Sequence, residues 1–147
     1  MTKICTDIKQ SKKLIELGID INTADMWYQY IGDSFKDGIT KPIYFPMVMR
    51  DDPTEKDVPA WSLSNLMKLL PSEFTEVGKY VTTTYKLDIR KFKLTDGVDL
   101  YQIAYGNRKV HEDGNSSWKD MINTGQKEEL TDAVFAMVCW LLENKKI

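Results

Sequence analysis

The stretch Val58-Pro59-Ala60-Trp61-Ser62-Leu63-Ser64-Asn65-Leu66-Met67-Lys68-Leu69-Leu70-Pro71 reads as a helix with both ends marked. Ser62 suits the N-cap, because its hydroxyl can accept a bond from a first-turn N–H that has no partner inside the helix. Trp61 then falls at N′ and Leu66 at N4, the two positions of a hydrophobic staple. Leu63, Leu66, Met67 and Leu70 recur at i, i+3, i+4, i+7 and give the helix one apolar stripe. Pro71 stops it, since the residue before a proline avoids the helical region. The remaining elements are expected to pack around this short helix and a longer one at the C-terminus.

That longer helix is predicted over about 128–145. Leu130, Val134, Met137 and Leu141 fit the 3.6-residue period, while Phe135, Val138 and Leu142 widen the stripe beyond one face, so the helix must be largely buried. Asp132 near its start and Lys145 and Lys146 at its end match the macrodipole. A third helix is expected at about 6–17. Thr6 serves as its cap, Ile8, Leu14, Ile15 and Leu17 form its apolar side, and Gly18 stands where a left-handed C′ residue belongs.

Between the helices the pattern turns to period two. In the run from Tyr80 to Lys93, Tyr85, Leu87 and Ile89 oppose Lys86, Asp88 and Arg90. Phe92 and Leu94 continue the apolar set out of phase, which predicts a bulge at Arg90-Lys91. Thr95-Asp96-Gly97 is a hairpin turn. The return strand from Val98 to Tyr105 is apolar on both faces and is expected to be central or covered on both sides. Pro42 to Met49 is β-prone, but Pro46 cannot donate to a ladder, so it is an edge strand or an extended cover. Met26, Trp27, Tyr28 and Tyr30 fit a short helix and a strand equally, and Gly32-Asp33 and Asp37-Gly38 read as turns. Ser72 to Lys79 is expected to turn at Gly78. Gly106 to Thr124 is polar and irregular, with room for one more hairpin.

These readings give an α+β fold. A small antiparallel sheet, the hairpin of about 80–105 plus an edge strand, packs against helices at 6–17, 62–70 and 128–145. The chain has 147 residues, which suits a single domain over 1–147. The polar segment 51–57 is a surface loop and the one candidate internal boundary. At this size roughly 68–70% of the unfolded chain's surface can be buried, so a core forms without staples.

The net charge is −2, which argues against a nucleic-acid partner, because phosphate neutralisation normally demands a basic excess. Two cysteines, Cys5 and Cys139, make no disulfide framework and are read as reduced. The first residues, Met1 to Asp7, hold no long apolar region of a signal peptide. No segment approaches the ~20 apolar residues of a membrane span. The expectation is a cytoplasmic protein with no membrane partner.

His111, Glu112 and Asp113 are the one cluster that invites an acid–base or metal reading. Adjacent residues on an extended chain point in opposite directions, and Asp-Gly-Asn is turn chemistry, so a solvated loop is the first reading there and no metal site is assigned. Asp51, Asp52, Glu55 and Asp57 lack the alternating order of a calcium loop. Arg90, Lys91 and Lys93, with Phe92, Tyr85 and Tyr101 nearby, are candidates for holding single-stranded nucleic acid by stacking and charge. No cofactor motif is present: there is no phosphate-binding glycine loop, nucleophile elbow or paired zinc motif.

Pro59-Ala60-Trp61-Ser62-Leu63 leading to Leu69-Leu70-Pro71, then Tyr101-Gln102-Ile103-Ala104-Tyr105-Gly106, then Asp132-Ala133 to Met137 and Trp140-Leu141, resembles small phage and prophage proteins of unknown function. The order of helix, hairpin and long closing helix is similar to the phage α-β-α sandwich domain. The resemblance covers about Val58 to Ile147. It implies a fold and a mobile-element origin and carries over no catalytic residue.

The first functional reading is therefore a non-enzymatic binding or accessory protein that meets a protein partner or a second copy of itself, its many aromatics suiting such contacts. The alternative is a small enzyme or ligand-binding domain with a carboxylate site near the His111 loop. A third is single-strand nucleic-acid binding through Arg90, Lys91 and Lys93.

Overall fold

The computed structural model describes residues 3–48 and 53–147. It is an α+β fold with two antiparallel sheets and three α-helices. In chain order these are α1 (Ile8–Glu16), β1 (Met26–Lys36), β2 (Ile39–Val48), β3 (Val58–Ala60), α2 (Leu63–Lys68), β4 (Glu73–Val77), β5 (Thr82–Lys93), β6 (Asp99–Val110), β7 (Ser116–Asn123) and α3 (Leu130–Glu143). One sheet has the order β2-β1-β3, the other β4-β5-β6-β7.

Ser62 caps α2 as the sequence predicts, accepting the Asn65 N–H at 3.2 Å. The cap is tied in further, because the Ser62 hydroxyl and N–H both donate to the Asp25 carboxylate, at 2.5 and 2.8 Å. Trp61 is wholly buried and donates its indole N–H to the Thr23 hydroxyl at 2.9 Å. On its other side the chain at Ile4 to Thr6 pairs with Trp61 to Leu63: Thr6 N–H meets the Trp61 carbonyl at 2.9 Å and Leu63 N–H the Ile4 carbonyl at 3.3 Å. Trp61-Ser62 thus gathers three segments distant in sequence.

Thr6 does not cap α1. It is buried, accepts the Trp61 N–H at 3.1 Å and shares a 2.8 Å bond with the Ser11 hydroxyl. The cap is Asp7, in a reciprocal box with Gln10. Asp7 is exposed at the positive end of the helix, where a carboxylate is favoured, whereas the Thr6 hydroxyl tolerates burial once both its bonds are made. At the other end Gly18 adopts φ 90°. Its N–H bonds the Ile15 carbonyl and that of Ile19 the Leu14 carbonyl, closing the helix with a Leu14–Ile19 contact in the core.

The main core joins Leu14, Trp61, Leu66, Leu70 and Phe74 to Ile103, Tyr105, Val134, Met137, Val138 and Leu141. As expected, α3 packs on both β6 and α2 and buries Ala133, Val134, Met137, Val138 and Leu141. β6 is an inner strand, and Ile103, Ala104 and Tyr105 are all fully buried, so both of its faces are covered. A smaller cluster of Cys5, Met26, Ala60 and Tyr28 sits under the other sheet.

Several local expectations need correction. The Pro42–Met49 strand is an edge strand, but of a second sheet: β2 pairs with β1, from Met26 opposite Val48 to Lys36 opposite Ile39. Met26 to Tyr30 is strand, preceded by one 3₁₀ turn at Ile21–Thr23. Gly32 is no turn but part of a bulge inside β1, with φ 137°, while Asp37-Gly38 is the turn, both at positive φ. β5 and β6 stay in register from Lys86 to Lys93, so there is no bulge at Arg90-Lys91. The bulge lies between β6 and β7 at Tyr105/Gly106, and it lets the consecutive Met121 and Ile122 both pack on the core. The turn at Gly78 is present, but the residues before it form the strand β4; the hairpin for which Gly106 to Thr124 left room is formed by β6 and β7. Of the polar loop, Arg50, Asp51 and Asp52 lie outside the described residues, as does Met49 of the predicted strand.

Candidate functional site

His111, Glu112 and Asp113 form the tip of the β6–β7 hairpin, all exposed. His111 Nε2 lies 2.7 Å from the Ser117 hydroxyl. The Asp113 carboxylate accepts the N–H and side-chain amide of Asn115 at 2.9 and 3.0 Å, which shapes the turn. Among the described residues no group of three His, Cys, Asp or Glu is placed to hold a metal ion.

The basic candidates divide between two faces. Arg90 and Lys91 are neighbours on a regular strand and so point oppositely. Arg90 lies on the face away from the helices, where its guanidinium grips Asp120 through Nη1 and Nη2 at 3.0 and 2.5 Å. It also reaches Asp88 at 2.8 Å and Gln102 at 3.1 Å. Asp120 accepts the Trp118 indole N–H as well, at 2.6 Å. The Arg90 bond, and then that of Trp118, hold the Asp120 carboxyl down to about 2 against the desolvation that opposes them. Trp118 covers Gly106 so closely that a Cβ there would lie 2.9 Å from its ring. Arg90 is thus a strut with its charge already matched by carboxylates, which leaves it poorly placed to meet a phosphate. Lys91 turns to the other face, 3.6 Å from Asp99 and 5.9 Å from the centre of the half-buried Tyr101 ring. Lys93 is exposed two residues further on. The structure does not bring the three cations together.

Neither cysteine forms a disulfide. Cys5 is buried with its sulfur 3.6 Å from the Tyr28 hydroxyl, and burial holds the Cys139 thiol up at about 11, far from a nucleophilic thiolate.

Two surfaces stand out instead. The first is the β1–β2 hairpin. β3 spans only three residues and pairs with Met26 to Tyr28 alone, so from Tyr30 onward the hairpin is a two-stranded arm. Ile39, Ile43 and Phe45 stand at odd positions of β2 and therefore share one face, with Lys41 between Ile39 and Ile43. Ile31 lies on it too, two residues from Gln29, the cross-strand partner of Phe45. These four side chains are 40–58% exposed. On the opposite face Tyr30 and Tyr44 meet edge to face at 6.1 Å with Lys56 4.8 Å from the Tyr30 ring, while toward the tip Phe35, opposite Thr40, is 76% exposed.

The second surface is a groove of about 760 Å³ between α1 and α3, lined by Ile8, Lys9, Gln10, Lys12, Lys13, Glu16 and Phe135. Its floor is apolar and its rim is mostly lysine. Sequence reading missed both surfaces. The alternation of Ile39, Ile43 and Phe45 was visible, but which sheet they joined was not. The groove needs two helices more than a hundred residues apart.

No family model, curated protein or solved structure matches this chain. Among the described residues, no helix is long and apolar enough to cross a membrane.

Proposed function

We propose that this is a non-enzymatic, single-domain cytoplasmic accessory protein that works by gripping another protein with the exposed face of its β1–β2 arm. The observation that carries the reading is the unpartnered row Ile31, Ile39, Ile43 and Phe45. Single exposed apolar residues are ordinary, but a row on one face of a projecting hairpin is the kind of patch that marks a contact site. The origin we propose, in a phage or other mobile element, rests on the resemblance of Val58 to Ile147 alone.

The edge of the arm favours a foreign partner over a second copy added strand to strand. Pro42 and Pro46 both sit in β2 and lack an N–H. Their nitrogens must face outward, away from β1, for the hairpin to keep its ladder. Two of the outward donors that an added strand would use are therefore missing, and Lys36 and Lys41 further discourage edge pairing. The face of the arm remains open.

The test is affinity capture with wild type and with the Ile39→Thr/Phe45→Thr double variant, each checked by light scattering. A protein captured by wild type and lost from the folded variant supports the reading. Capture that is equal for both, or a wild-type dimer that the variant dissolves, overturns it.

A further inference from the structure

We infer that the groove between α1 and α3 is a second docking site, and that its occupant is an acidic, amphipathic helical segment of a partner protein. The groove includes none of the arm's exposed row, although Lys12 also lines a neighbouring cleft with Tyr30, Asp33 and Tyr44 of the arm, and the inference does not depend on the arm's role. Its floor is Ile8 from α1 and Phe135 from α3, both only partly buried, and its volume is about 760 Å³. Lys9, Lys12 and Lys13 occupy i, i+3 and i+4 of α1, so they line one side of the helix together. Among the described residues none of the three forms an ion pair within 4.0 Å, whereas Lys3, Lys91, Lys146 and Arg90 all do.

Three lysines against the one carboxylate of the lining, Glu16, give the groove a positive excess over an apolar floor, which fits a ligand with carboxylates flanking an apolar stripe. The spacing narrows the ligand further. Lys9 to Lys13 spans about 6 Å of helix rise, and carboxylates at i, i+3 or i+4 of a facing helix repeat at the same interval. Helix-in-groove recognition uses just such i, i+3, i+4, i+7 anchors. A second copy of this chain fits less well. The projecting part it offers is the arm, whose charges Asp33, Lys36, Asp37 and Lys41 cancel and give the lysine rim nothing to meet.

The probe is a set of fluorescein-labelled 14-residue helical peptides with leucine at i, i+3, i+4, i+7 and glutamate on the flanks, in four rotational registers. The control set has lysine in place of glutamate. Binding is followed by anisotropy at low and high salt, with wild type and the Lys9→Glu/Lys12→Glu variant, whose two changes are at exposed positions. The expected result is saturable, salt-weakened binding of at least one acidic peptide, none of the lysine set, and a loss of about tenfold or more in the variant. Equal binding of acidic and basic peptides, binding untouched by the lysine reversal, or no acidic peptide bound below 100 µM would overturn the inference. So would association with phosphatidylglycerol vesicles in the absence of any peptide binding, which would make the groove a lipid site.

Discussion

At the scale of single residues, the structure turns on polar side chains that join distant segments. Ser62 is the clearest. Its cap was legible from the sequence because a cap is local: it needs only a hydroxyl at the right distance from an apolar stripe. The Asp25 carboxylate that holds the same hydroxyl at 2.5 Å was not legible, because it arrives from another element. Ser62→Ala should therefore cost about 1 kcal/mol for the cap alone, and somewhat more for the stranded carboxylate, as a lowered urea midpoint. Gly106 is a second such position. A Cβ there would meet the Lys119 carbonyl, which is backbone and cannot swing aside, as well as the Trp118 ring. Gly106→Ala should cost about 1–3 kcal/mol, as overpacking does.

Asp120 gives the molecule a signature in acid. Its carboxyl is held at about 2, below the ordinary 3.8, chiefly by Arg90. A carboxyl depressed on folding contributes stability above its unfolded value and loses it as pH falls through the folded one. The contribution is thus complete above about pH 4 and lost toward pH 2. Urea midpoints measured across this window should fall more steeply for wild type than for Asp120→Asn, which lacks the titrating group. Identical slopes would show that the Arg90 strut contributes nothing.

At the scale of elements, legibility followed the strength of the periodic signal. The α3 helix was readable because its apolar positions cover more than one face, and it buries them between β6 and α2. Leu141 and Val138 are fully buried. Leu141→Ala should cost about 2–5 kcal/mol and Val138→Ala somewhat less, measured by urea unfolding. β4, and the extent of β7 within the hairpin that Gly106 to Thr124 allowed, were unreadable for the converse reason. β4 is a five-residue edge strand with only Phe74 buried, and β7 buries residues out of phase because its bulge puts Met121 and Ile122 inward together. The same effect misplaced the predicted bulge. Phe92 and Leu94 broke the alternation at the exposed but fully paired end of β5, where a change of apolar phase costs little and no extra residue is inserted.

At the scale of the whole molecule, the fold class was in the sequence and the partition of strands was not. Pro46 marked β2 as an edge, but nothing local names the sheet an edge belongs to; that is settled by the β1–β2 register. The candidate surfaces share this limit. His111 drew attention as a rare residue type, yet it stands at a solvated hairpin tip. The arm and the groove are built from ordinary isoleucines, phenylalanines and lysines whose meaning comes from what fails to cover them. The main core sits under α2, α3 and the β4–β7 sheet and draws on none of Ile31, Ile39, Ile43 or Phe45.

On the proposed function, the arm's apolar face serves contact with another protein and does not hold the fold together. Urea unfolding of the isolated monomer, with Ile39→Thr/Phe45→Thr beside Leu141→Ala, tests it most directly. Threonine keeps the β-branched character that suits a strand. The arm variant is predicted to stay within about 1 kcal/mol of wild type, as exposed substitutions do, while Leu141→Ala loses about 2–5 kcal/mol. An arm variant that loses as much as Leu141→Ala would show those side chains packed within the folded monomer, and would contradict the account.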